Sequence, residues 1–191
     1  MSLEQKINNL ETDLHIMGTL VLDSLVGAVR ALEDKDTLKA SEVMDKDDEI
    51  DDAYMKIDQD WFELMATEQP VASDLRLSTS ILQASLHLER LGDLSVYLGK
   101  TTHEIHDLPI PESLHKIVVE MGDMVIDMAS SALESLKNRD AKLALSTARK
   151  DELINSLYNK MLNEVPNISG NKDLYSGLFR LITCVRTLER G

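Results

Sequence analysis

A second copy of the first half constrains this chain more than any other feature. Sliding the sequence by 104 residues places Met17-Gly18 on Met121-Gly122, Val21 on Val125, Asp23 on Asp127, Ala28 on Ala132 and Leu32 on Leu136. The register continues with Asp36 on Asp140, Ala40 on Ala144, Lys46-Asp47 on Lys150-Asp151, Ile50 on Ile154, Tyr54 on Tyr158 and Lys56 on Lys160. No gap interrupts that stretch, so whatever the first half folds into, the second half repeats.

Each half reads as helix. Ile7, Leu10, Leu14, Met17, Val21, Leu25, Ala28 and Leu32 keep the alternating three- and four-residue spacing of a core-facing helix from about Ser2 to Glu33. Asp36 or Thr37 caps the next helix, which runs to about Glu68 with Val43, Ile50, Ile57 and Leu64 as a seven-residue seam. Pro70 ends it, and Ser73 or Asp74 caps a third helix that reaches about His106. In the second half, helices are expected from Glu112 to about Asn138, from Asp140 to Glu164, and from about Lys172 to the end. Only eight glycines and four prolines leave little room for the turns of a β fold, so the class is all-α. The expected organisation is a three-helix bundle over residues 1–106, a linker with two prolines over 107–111, and a second bundle over 112–191. Leu188-Glu189-Arg190 lines up with Leu88-Glu89-Arg90, where the third helix still has some way to run, so the last helix is expected to be cut short.

A formal net charge of −14 argues against nucleic acid or an anionic membrane as the main partner. The single cysteine, Cys184, excludes an internal disulfide and fits a reducing compartment. No segment reads as a signal peptide or membrane span, and a cytoplasmic protein is expected.

The chemistry, if any, lies in acid pairs. Glu89 and Asp93 stand four residues apart on one helix face, as do Asp47 and Asp51 on the preceding helix. Antiparallel packing about a loop near Val71 puts Asp51 level with Leu91, between Glu89 and Asp93. At about 100° per residue, Glu89 and Asp93 fall within a stripe of Leu75, Leu82, Leu86 and Val96 rather than on a purely polar face. Four converging carboxylates suit a hard cation such as Mg, Ca, Mn or Fe. They also suit a solvated face salt-bridged to Arg90, Lys46 and Lys56, and the spacing alone leaves both readings open. Glu112 and His115 have the Glu-x-x-His spacing of di-iron helices, and His103 and His106 could chelate, yet both pairs stand at helix ends. There is no glycine-rich phosphate loop and no nucleophile motif.

Three motifs in order resemble the PhoU family of phosphate-transport regulators. They are Asp47-Asp48-Glu49-Ile50-Asp51 with Tyr54, Gln69-Pro70-Val71-Ala72-Ser73-Asp74-Leu75-Arg76, and Leu88-Glu89-Arg90-Leu91-Gly92-Asp93. The resemblance implies two three-helix bundles with pseudo-twofold symmetry, a homodimer, and metal held by acid pairs on the bundle surface, iron foremost, with Mn, Mg, Ca or Zn as alternatives. It implies a non-enzymatic negative regulator that couples the ATPase of a phosphate ABC transporter to a sensor histidine kinase, reaching the membrane through those partners only. By motif position the metal ligands are Asp47, Asp51, Glu89 and Asp93, followed in the second half by Asp151 and Glu189. There Asn155 replaces the counterpart of Asp51 and Leu153 that of Glu49, so a full second cluster is not expected. The competing readings are a carboxylate-bridged di-metal enzyme and a metal-free helical interaction scaffold.

Overall fold

The computed structural model describes residues 1–190. Among the described residues eight α-helices follow one another: α1 (Leu3–Asp34), α2 (Thr37–Met44), α3 (Asp47–Glu68), α4 (Ala72–Ile105), α5 (Glu112–Asn138), α6 (Ala141–Ala148), α7 (Asp151–Glu164) and α8 (Lys172–Arg190). A short 3₁₀ turn, Val165–Asn167, follows α7. The all-α reading holds, and the repeat is visible in the helix ends. Lys35 and Arg139 close α1 and α5 in the left-handed conformation, with φ of 54° and 53°. Asp36 then accepts hydrogen bonds from the N–H groups of Leu38 and Lys39, and Asp140 from those of Lys142 and Leu143. Each such cap is worth about 1 kcal/mol to its helix.

The expected second helix of each half is in fact two. Asp45 and Lys46 keep right-handed dihedrals, but the Lys46 N–H turns back to the Val43 carbonyl and the Glu49 N–H to the Lys46 carbonyl. These three-residue bonds tighten the chain and kink it. Lys150 and Leu153 repeat the pattern through the carbonyls of Thr147 and Lys150. The break gives α3 a first turn of Asp47, Asp48 and Glu49, where the positive end of the helix dipole favours carboxylates. A second correction concerns α4. Neither Ser73 nor Asp74 caps it: the helix starts after an extended Val71 with no side-chain cap, and both residues lie in its first turn.

The buried apolar residues form one continuous cluster. α1 runs through it, packed on α2, α3, α4 and α5, while α8 closes against α4, α5 and α7. By length and composition α1 could cross a membrane, with a mean hydropathy of 1.4 over its most apolar window. Its Leu10, Leu14, Met17, Val21, Leu25, Ala28 and Leu32 are buried in the protein core, which accounts for that run without a bilayer.

The halves meet through an exchanged contact between α1 and α5. A methyl group on Gly18 would stand 2.8 Å from both δ-carbons of Leu133, and one on Gly122 would stand 2.6 Å from Cγ2 of Val29. Leu133 is the repeat counterpart of Val29, so the two contacts are images of each other, as an internal twofold requires.

Candidate metal centre

The kink at Asp45–Lys46 and a glycine together bring the two acid pairs face to face. Gly92 lies in the middle of α4, where glycine is about 1 kcal/mol less favourable than alanine. Its place is explained by what lies against it: a Cβ there would be 3.0 Å from Cγ2 of Ile50 and 3.7 Å from Oδ1 of Asp47. The start of α3 therefore sits directly on α4, with the Asp47 carboxylate beside the residue that precedes Asp93.

The charges feel one another. Burial first, then Asp51, Asp93 and Asp48, hold the Asp47 carboxyl above its ordinary range, with Lys100 opposing. Burial also raises Glu89, followed by Asp93 and Asp51, with Arg90 opposing before the weaker effect of Asp47. Asp47 and Glu89 are half-buried, whereas Asp51 and Asp93 are exposed. Among the described residues no salt bridge reaches any of the four. Lys56, a candidate counter-ion, pairs instead with Asp13 and Asp60. The cluster is therefore four mutually repelling carboxylates from two helices with only distant cations. Among the described residues no group of three or more His, Cys, Asp or Glu side chains is closed into metal-holding geometry. The donor set has the chemistry of a hard-cation site: oxygen only, excess negative charge and partial burial.

The second half keeps the frame and loses the charge. Asp151 and Glu189 border one cavity of about 300 Å³, with Leu91, Ile154, Leu188 and Arg190 in its wall. Asn155 Nδ2 donates to Asp151 Oδ2 at 3.0 Å. An amide donor thus stands where the first half has the Asp51 carboxylate: one negative charge is gone, and the carboxylate that remains accepts a hydrogen bond.

The other candidates are accounted for by local partners. His115 Nε2 lies 2.8 Å from the carbonyl oxygen of Leu32, which can only accept, so that nitrogen carries the proton. Glu112 pairs with Lys116 at 2.6 Å, which holds its carboxyl below the ordinary range. The two residues of the Glu-x-x-His spacing thus serve as a tether between α5 and the end of α1 and as a helix-surface ion pair. His103 meets Ser41, and His106 meets Asp107. Cys184 is fully buried, and burial pushes its thiol up to about 12, so it offers no thiolate ligand. A further hollow of about 950 Å³, bordered by Ser73, Asp74, Arg139 and Asp140, touches none of the six acidic candidates.

The molecule is thus a tandem-repeat helical bundle that presents a two-helix carboxylate cluster in its first repeat and a less charged version in its second. The PhoU domain model matches residues 14–102 and again 118–190, the second match beginning one repeat length after the first. The chain belongs to the PhoU domain family. It is 31% identical to the phosphate-specific transport system accessory protein PhoU homolog of Clostridium acetobutylicum, over 98% of this chain and 86% of that one. It is also 31% identical to the homolog of Pseudomonas aeruginosa, over 97% of this chain and 77% of that relative. The crystal structure of PhoU from P. aeruginosa is similar with a TM-score of 0.93 at 30% identity, covering 99% of this chain and 91% of that chain. That of the phosphate transport system regulatory protein PhoU from Streptococcus pneumoniae gives 0.89 at 26% identity, covering 99% and 89%.

Proposed function

We propose that this chain is a non-enzymatic accessory protein of a phosphate-specific transport system, which restrains phosphate uptake and its signalling when phosphate is plentiful. The observation that carries the reading is the full-length match of both repeats to accessory proteins of that system. The protein acts by docking: its helical faces engage the transporter's ATPase and a sensor histidine kinase, and it works as a homodimer in the cytoplasm.

Asp47, Asp51, Glu89 and Asp93 would hold a metal ion, iron first among the hard cations. Asp151 and Glu189 would form a weaker second site. A bound cation would supply the positive charge that the groove lacks and would lock α3 against α4 at the docking face. What supports this is the donor chemistry and the absence of a salt-bridge partner among the described residues. The test of the function is genetic. In the source organism, removing the gene should raise phosphate uptake and expression of phosphate-starvation reporters in phosphate-rich medium; unchanged uptake and expression would overturn the proposal.

A further inference from the structure

The outer edge of the α3–α4 groove is apolar where a solvated edge would be polar. Phe62 is 70% exposed, Met55 67%, Leu86 45% and Leu75 41%, and Leu82 is half-buried among them. Counting about 100° per residue from the buried seam of α3 puts Asp58 on the edge turned toward α4 and Met55 and Phe62 on the outer face beside that edge. The same count puts Leu75, Leu82 and Leu86 on the α4 edge turned toward α3. The antiparallel register fixed by Ile50 against Gly92 sets Met55 within a residue of Leu86, and Phe62 between Leu75 and Leu82. The result is one strip about 17 Å long, or three helical turns, and contiguous exposed apolar surface of this kind marks an interaction site.

Charge identifies the occupant. Asp58 borders the strip and Asp51, Glu89 and Asp93 stand beyond its Met55–Leu86 end, outnumbering the two cations next to it on α4, Arg76 beside Leu75 and Arg90 one turn past Leu86. Lys56 is turned away toward Asp13. An anionic membrane is repelled by this border, and a second copy of the chain would bring like charges together across a twofold. We propose that the strip takes the apolar face of a cationic amphipathic helix from a partner protein, with leucine-like anchors about three turns in extent and lysines or arginines meeting Asp58 and, where no metal is held, Asp51, Glu89 and Asp93. The proposal rests on the docking role described above and names the surface and the chemistry of one partner. The corresponding edge of the second half carries Asn159 and Arg186 at the positions of Met55 and Leu86, so only the first groove has this combination.

The experiment uses the whole chain and a dye-labelled helical peptide of leucine and lysine, about five turns long, followed by fluorescence anisotropy. The Leu–Lys peptide should bind the wild type, more weakly as salt is raised, and a Leu–Glu peptide of the same pattern should not bind. Phe62→Ser combined with Leu86→Ser should weaken binding at least about tenfold with unchanged circular dichroism. Leu38→Ser and Leu145→Ser, at exposed leucines elsewhere, should leave binding unchanged. Equal binding of both peptides, or wild-type affinity in the double variant, overturns the proposal. Sedimentation showing a wild-type dimer that the double variant dissociates also overturns it, by assigning the strip to a second copy. If the double variant still restrains phosphate uptake in cells, the surface is wrong while the accessory role stands.

Discussion

The two repeats share a frame and differ in how they hold an acidic helix junction together. In the first, α3 starts against α4 with Asp47, Asp51, Glu89 and Asp93 facing one another, and nearby carboxylates and burial raise Asp47 and Glu89. In the second, the helices break at the equivalent residues, but Asn155 replaces a charge and donates to Asp151. The capping residues, the kink and the buried Ile50 and Ile154 are held in common. The frame therefore does not require the carboxylates: the second half builds the same junction with fewer of them. What the first half keeps beyond the frame is an electrostatic cost that a cation or a cationic partner would relieve.

Exchanging those residues tests the comparison most severely. Asp51→Asn, which copies the second half into the first, should abolish most of the metal measured by elemental analysis of protein purified without chelator. Asn155→Asp should add metal to the second half. Equal metal content across wild type and both variants would end the metal assignment. The glycine pair comes next in magnitude. Gly18→Ala presses on the flexible end of a half-buried Leu133, and the gain in helix propensity should leave it near neutral. Gly122→Ala presses on Val29, which is buried and stiff at χ1, and should lose about 1–2 kcal/mol in chemical denaturation. Equal losses would mean that the crossing relaxes the same way on both sides.

The smallest effect is in pH. Asp47 and Glu89 hold protons in the folded state above the ordinary values of 3.8 and 4.5. Between the unfolded and folded values the native chain binds more protons, so stability falls as pH rises through that window. In metal-free buffer, lowering the pH from neutral into that window should therefore raise stability relative to Asp51→Asn, which removes a charge acting on both groups. Both carboxyls are only half-buried and still partly screened by solvent, so the difference should stay under about 1 kcal/mol. Parallel pH profiles of thermal unfolding for the two proteins would remove the electrostatic distinction between the repeats.

Some of this was legible in the residues and some was not. The repeat, the caps at Asp36 and Asp140 and the core spacing of α1 follow from short-range rules that act wherever the chain goes. Counting residues from the Val71 loop was enough to set Asp47 and Asp51 opposite Glu89 and Asp93, because antiparallel helices joined by a short loop have little freedom in height. The break at Lys46 was hidden because Asp45 and Lys46 stay right-handed and neither is glycine or proline. The acid run Asp47-Asp48-Glu49, favourable at a helix start, was the available signal. The partner of His115 was out of reach: its bond goes to a carbonyl 83 positions away, set by how α5 crosses α1. Gly92 could have been read as a contact point, since a mid-helix glycine is unfavourable unless something approaches it.

The exchanged pairs Gly18–Leu133 and Gly122–Val29 make the inside of one chain resemble the interface of a symmetric dimer. For two separate half-length chains, that interface would fill or empty with protein concentration. Joined through the segment after α4, it forms at a fixed effective concentration, independent of how much protein is present. Linkage also removes the symmetry constraint under which a change on one side must appear on the other. One repeat can then carry a charged, apolar-edged groove while its twin supplies a quieter counterpart, and dilution does not separate them.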